Sequence, residues 1–322
     1  MFKLNRITRL AAPALMVALL FGVAAAQKKK GHLNDNSGGG RAVLWHKVDV
    51  SSQDTYLGPG GAAMQPDLSH IEFIEQEKGG WSTKYKIRDG AGNVWVAKIG
   101  PEAQPETAAV RLMAALGYYT EVNYLVPNLT IPGKGTFSNV RLEARPKNVK
   151  RGDIWYWGRT PFENTPQMKG LMMMMAFINN WDMKSANNKV FHTSGLDEYV
   201  ISDLGATFGK TGSNSLPIFF RIGRSRNDPK GYAKTKLVSG VTEDKVRVVY
   251  HGKNRSRMHD FTKEDARWIA DLLVQLTDDQ IRDMFRAANY SSGDIKTLTK
   301  AVKSRIDQLD RAANDRRITG MR

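Results

Sequence analysis

Apolar residues run without a charge from Leu10 to Val23, behind Lys3, Arg6 and Arg9 and ahead of Ala24 and Ala26. A basic start, a short apolar stretch and a small-x-small ending predict a cleavable secretory leader over residues 1–26, cut before Gln27. Pro13 interrupts the run, which also falls short of the roughly 20 apolar residues that a spanning helix needs. The product is therefore expected to be periplasmic or secreted, and not membrane-spanning after cleavage. Residues 27–41, QKKKGHLNDNSGGGR, are polar, Gly-rich and aperiodic, which predicts a flexible arm. No second long apolar run follows.

Beyond the arm the pattern alternates with period two and then lengthens. Short alternating runs at His70–Gln76, Thr83–Arg88 and Val94–Ile99 predict three strands, with Gly79-Gly80 and Asp89-Gly-Ala-Gly-Asn93 at the turns. Glu106–Leu116 follows as a helix between Pro105 and Gly117. Within it Glu106, Val110 and Met113 share a face, so a carboxylate sits on an apolar stripe. Tyr118–Val126 and Phe137–Ala144 predict further strands, the second placing Val140, Leu142 and Ala144 inward. GPGGAA at 58–63 matches a dinucleotide glycine pattern only superficially, because Pro66 stands where a helix should begin; a loop is expected.

The second half has the longer period of helices. Pro166–Asn179, with LMMMMAFI, predicts a buried central helix, since methionine runs fill cores. A polar loop at 179–188 precedes a hairpin of Lys189–His192 and Tyr199–Ser202 about Thr193-Ser-Gly195. Arg267–Leu276, Asp278–Ala288 and Ile295–Ala312 predict amphipathic helices, the first behind a Thr262-x-x-Asp265 near capping box. The chain thus reads as α+β: a small antiparallel-sheet lobe at about 42–146 and a mainly helical lobe at about 147–322.

Charge and composition narrow the chemistry. The 48 basic residues less the leader's three leave 45 against 32 acidic, a net of +13. Residues 210–257 hold twelve Lys/Arg and three acidic residues. Such a balance favours an anionic partner: an acidic protein, a phosphorylated glycan or a lipid headgroup. The same stretch interleaves Phe219, Phe220, Tyr232 and Tyr250 with Arg221, Arg224 and Arg226, which could stack nucleic-acid bases, although no specific nucleic-acid motif is present. With no cysteine, disulfides, thiolate nucleophiles and Cys-type zinc sites are excluded. The six histidines show no close ligand spacing, and no G-x-S-x-G occurs, which argues against a zinc enzyme and a serine hydrolase.

One ordered set of residues fits phosphoryl transfer, which asks for a lysine on phosphates, a carboxylate holding it, an acid near the acceptor hydroxyl, and Asn/Asp ligands for magnesium. Lys98 ends Val94-Trp-Val-Ala-Lys98, and Glu106 on the next helix can pair with it, with Glu102 as a competitor. Asp182-Met-Lys-Ser-Ala-Asn187 has D-x-x-x-x-N spacing, with Asn188 competing for the metal role, and Asp203-Leu-Gly205 follows the hairpin. Gly79-Gly80 offers backbone amides to phosphates.

Through the loop Asn179-Asn-Trp-Asp-Met-Lys-Ser-Ala-Asn-Asn188 and the segment Ile201-Ser-Asp-Leu-Gly-Ala-Thr-Phe-Gly209, the chain resembles the protein-kinase-like superfamily. The likeness is to its atypical branches: phosphatidylinositol, persister-toxin, spore-coat and secretory-pathway kinases. The resemblance covers roughly residues 71–209. It implies a two-lobed kinase-like fold using Mg2+ and ATP, with Lys98 on the nucleotide phosphates and Glu106 as its partner. Asp182 becomes the base or hydroxyl-orienting group, Asn187 and Asp203 the magnesium ligands, and Lys184 a neutraliser of the transferred group. A full G-x-G-x-x-G, the H-R-D arginine and an A-P-E segment are missing, so control by activation-loop phosphorylation is not expected. The acceptor is unnamed by any residue. Two other functions fit the same residues: a catalytically silent kinase-like nucleotide-binding or scaffold module, and an exported polyanion-binding protein.

Overall fold

The computed structural model describes residues 39–79, 82–212 and 223–314. The expected leader, the arm up to Gly38, Gly80, and Phe219, Phe220 and Arg221 of the basic stretch lie outside the described residues. A first short strand, β1 (Arg41–Val43), begins at the last residue of the expected arm. Then come β2 (Glu72–Glu77), β3 (Thr83–Arg88), β4 (Val94–Ile99), α1 (Ala103–Ala115), β5 (Asn123–Ile131) and β6 (Gly135–Ala144). Strands β2 to β6 form one antiparallel sheet in the order β2-β3-β4-β6-β5. Period-two alternation buries Val140 and Leu142 with Ile87, Trp95 and Ala97 in one apolar cluster.

Several boundaries differ from expectation. The helix starts at Ala103 rather than Glu106, because Pro105 falls in the first turn, where its missing N–H has no intrahelical partner to lose. The strand after it starts at Asn123 rather than Tyr118. Tyr118 is instead drawn into the core of the second half, where its hydroxyl donates to the Gln167 carbonyl at 2.9 Å. That strand then runs through Pro127 to Ile131, which is permitted because β5 is a sheet edge. In the glycine-rich 58–63 segment, Gly58–Gly60 forms one 3-10 turn. A Cβ at Gly60 would meet the Tyr124 hydroxyl at 2.2 Å, so close packing against β5, not phosphate binding, accounts for this glycine.

The remainder comprises β7 (Lys150–Arg151), α2 (Pro166–Phe177), β8 (Asn188–Thr193), β9 (Leu196–Ile201), α3 (Pro229–Ala233), β10 (Val238–Val241), β11 (Lys245–Val248), β12 (Phe261–Thr262), α4 (Lys263–Leu273), α5 (Asp278–Ala287) and α6 (Ser292–Ala313). The methionines of α2 are buried in a second, larger core with α4, α5 and α6. Thr262 and Asp265 form a complete capping box, which starts α4 four residues before the expected Arg267. The carbonyl end of α2 is closed by a buried cation: Arg305 on α6 donates to the Ala176 and Phe177 carbonyls at 3.2 and 3.0 Å. Strand β1 runs parallel to β9 in the sheet β1-β9-β8-β7, so residues 41–43 belong with the hairpin of the second half.

The fold is α+β, with a small antiparallel-sheet lobe followed by a mainly helical one. Helix α1 joins them: its apolar residues sit in the larger core, and Gln104 donates to the Ala288 and Asn289 carbonyls at 3.1 and 2.9 Å. Among the described residues no helix is long and apolar enough to cross a membrane.

Candidate active site

Lys98 lies near the end of β4, an interior strand of the first sheet, and is 3% exposed. A buried ammonium needs compensating charge, and its Nζ has three carboxylates: Glu102 at 2.8 Å, Glu106 at 2.9 Å and Asp203 at 2.9 Å. Glu102 and Glu106 stand one helical turn apart at the start of α1, so both reach the lysine rather than competing for it. Burial works to lower the Lys98 pKa, and Glu106, Asp203 and Glu102 overcome it, leaving it raised. Burial pushes the Glu106 carboxyl up against the pull of Arg141 and Lys98. For Asp203 the balance goes the other way, since Lys98 outweighs burial and lowers its pKa.

The segment carrying Asp203 is shaped for this contact. Asp203 adopts φ 53°, the left-handed region that side chains seldom occupy. Gly205, two residues on, has no alternative: a Cβ there would meet the Cβ of Glu102 at 2.6 Å. A residue beyond β9 and one before α1 are thereby held against each other.

The 179–188 loop is fixed by its own amides. The Asp182 N–H donates to Asn180 Oδ1 at 2.9 Å, and Asn187 Nδ2 donates to the Asp182 carbonyl at 3.0 Å. The hairpin register pairs Asn188 with Ile201, and the Ser202 N–H and hydroxyl donate to the Asn187 carbonyl at 3.0 and 2.9 Å. Asn187 is thus placed one residue from Asp203 across the hairpin's open end, while Asn188 is buried within β8. Asp182 carries a lysine on each oxygen: Lys184 Nζ at 2.9 Å and Lys253 Nζ at 2.5 Å. Gly79 takes φ 109° just past β2, with open space where a Cβ would stand; its neighbour Gly80 lies outside the described residues.

Several charged residues of this region escape sequence reasoning. Arg141 on β6 pairs in register with Lys98 and is buried; its guanidinium lies 3.0 Å from Glu106 and 2.7 Å from Glu143. Glu143 and Glu121 in turn meet Arg151, and Glu143 meets Arg145. Arg226 pairs with the second oxygen of Glu102 and lies over the Trp181 ring, 5.0 Å from its centroid. Arg141 was legible in one respect: an arginine between Val140 and Leu142 faces the side of the sheet opposite the apolar residues, and that side is covered by α1. Tyr232 and Tyr250 are buried core residues, so they cannot act as base-stacking platforms.

The oxygen donors fit a hard divalent cation. Asp203 uses only Oδ1 on Lys98, and Asn187 uses only its Nδ2, so Asp203 Oδ2 and Asn187 Oδ1 have no protein donor among the described residues. Among those residues no cluster of three His, Asp or Glu could hold a metal alone. Magnesium here would take its remaining oxygens from phosphates and water, its usual habit beside a nucleotide.

No family model matches the chain, and no curated protein matches it. Among solved structures it is similar to a Helicobacter pylori proinflammatory kinase, CtkA, at 11% identity and a TM-score of 0.47, over 79% of this chain and 99% of that one.

Proposed function

We propose that the chain is an atypical kinase-like phosphotransferase that uses Mg-ATP on an anionic acceptor and acts outside the cytoplasm after cleavage before Gln27. The observation that carries this reading is Lys98 Nζ bonded at 2.9 Å both to Glu106 on the following helix and to Asp203, a post-hairpin residue 105 positions away in the chain. In this reading Lys98 binds nucleotide phosphates while Glu102 and Glu106 hold its position. Asp203 and Asn187 would hold the magnesium, which when bound neutralises phosphate charge. The acceptor hydroxyl is oriented by Asp182: its oxygen bonds to the γ-phosphorus as the bond to the β-phosphate oxygen breaks, and its proton passes to the Asp182 carboxylate. Lys184, 42% exposed, can leave Asp182 for the transferred group.

A second reading, nucleotide binding without transfer, is favoured by the lysine on each Asp182 oxygen. Thermal unfolding with and without Mg-ATP tests the site that the two readings share. Nucleotide at about 100 times its dissociation constant stabilises by roughly 2.7 kcal/mol, several degrees in midpoint. Asp203→Ala should abolish that magnesium-dependent shift, and no shift in the unmodified protein refutes both readings. Labelled-phosphate transfer that is lost in Asp182→Asn while the shift is kept separates catalysis from binding alone.

A further inference from the structure

Between β11 and the chain from His251 to Asp260 lies a cavity of about 880 Å³ that the phosphotransfer residues leave unused. Lys245, Arg247 and Arg255 line it against a single carboxylate, Asp260. Asp260 is taken up by Lys245 at 3.0 Å and by His259, so Arg247 has no ion partner among the described residues. Val246, Tyr250 and Met258 are buried beneath it. Strand β12 pairs with β11 only at Lys245 and Val246, so past Val246 one edge of β11 faces the cavity without a neighbouring strand. A second hollow of about 370 Å³ adjoins at Ser256 and His259 and adds Lys169 and Arg257 with one carboxylate, Glu163.

The far wall is bolted to the 179–188 loop. The Tyr250 hydroxyl donates to the Asn180 carbonyl at 2.8 Å, the Lys253 N–H to the Trp181 carbonyl at 2.9 Å, and Asn254 Nδ2 to the Met183 carbonyl at 2.6 Å. Lys253 itself reaches Asp182. Whatever occupies the cavity is presented one short segment away from the residue proposed to orient the acceptor.

We propose that this cavity docks an extended acidic segment of a protein acceptor, along the open edge of β11 with a carboxylate on Arg247. The inference rests on the phosphotransferase reading for the word acceptor. The space far exceeds a lone phosphate, and its one Phe, Tyr or Trp side chain, Tyr250, is buried and unable to stack on bases. Extended peptide pairing, with charge complementarity for selection, fits the open edge of β11 beside Arg247.

Fluorescence anisotropy with a dye-labelled peptide of alternating glutamate and serine tests it on the whole protein. Arg247→Glu should weaken binding by about tenfold or more, a reversal of one close charge contact. The same charge change at Lys296, exposed on α6, should leave binding unaltered. Equal weakening by Lys296→Glu, or no weakening by Arg247→Glu, overturns the site. So does an Arg247-dependent affinity of equal strength for DNA or for phosphatidylglycerol vesicles. Asp203→Ala should bind the peptide normally while losing the Mg-ATP shift, and Arg247→Glu should do the reverse. Peptide binding through Arg247 in a protein that shows no nucleotide shift would uphold the docking site and remove the phosphotransferase reading.

Discussion

The cluster around Lys98 and the cavity beside Arg247 are both rich in charge, yet they spend it in opposite ways. Around Lys98 nearly every cation and carboxylate is out of water and answered within the fold: Lys98 by Glu102, Glu106 and Asp203, and Arg141 by Glu106 and Glu143. Around Arg247 the cavity wall carries three Lys/Arg side chains and one carboxylate, and that carboxylate is held by Lys245. Buried, mutually satisfied charge fixes geometry, because losing any member strands another in low dielectric. Exposed charge such as that of Arg247 leaves the fold indifferent and remains available to a ligand. The first arrangement suits positioning for chemistry and the second suits recognition.

The largest effect expected from this contrast is at Arg141. Arg141→Met keeps volume but leaves Glu106 and Glu143 without their shared guanidinium, and breaking a buried pair from one side costs about 3–5 kcal/mol. At this size the unfolding midpoint should fall by roughly 10 °C, read by calorimetry. Arg247→Glu should move it by less than about 0.5 kcal/mol equivalent. A midpoint unaltered by Arg141→Met would break the comparison at its stronger end.

Next comes the proton held by the buried carboxylates. Burial and the neighbouring Glu143 raise the Glu121 pKa to about 8, while Arg141 and the other arginines overcome burial and hold Glu143 low. The sign follows from linkage. Folded Glu121 binds its proton more tightly than unfolded, so its contribution falls as pH rises from the ordinary 4.5 to about 8 and is level above that. Glu143 acts in a separate window: its contribution is present above 4.5 and is lost as pH falls below it. Denaturant unfolding across pH should show Glu121→Gln flattening the decline toward pH 8, with a residual slope from Glu106, which burial also raises. An unaltered slope would place the proton elsewhere than on Glu121.

Much of this contrast was legible in the residues, but unevenly. Strands β3 and β4 and the Lys98, Glu106, Asp182, Asn187 and Asp203 order follow from local alternation and spacing, which need only near neighbours. Lys253 and Arg226 have no such signal, because they reach Asp182 and Glu102 from positions 71 and 124 residues away in the chain. The α1 start failed at Pro105 because a first-turn proline reads as a boundary when it stands inside one. Tyr118 failed because tertiary burial overrode its strand preference. The basic stretch at 210–257 was visible as charge alone, and its division into a paired part at Arg226 and an unpaired part at Arg247 required the fold.

The smallest effect should come from an ion pair as short as those at the site but placed in water. Glu72 and Arg88 face each other across β2 and β3 at 2.6 Å, and both side chains are about half exposed. If distance set the worth of a charge pair, this one would rival Arg141 with Glu143 at 2.7 Å. Exposure predicts otherwise: solvent screens the attraction and ordering two long side chains offsets it, so the coupling should be about 0.2–1 kcal/mol and should shrink with added salt. A double-mutant cycle of Arg88→Ala and Glu72→Ala, read by urea unfolding, isolates that coupling from the loss of each side chain. A salt-insensitive value above about 2 kcal/mol would mean that bond length, and not removal from water, separates the Lys98 cluster from the rest of the charged surface.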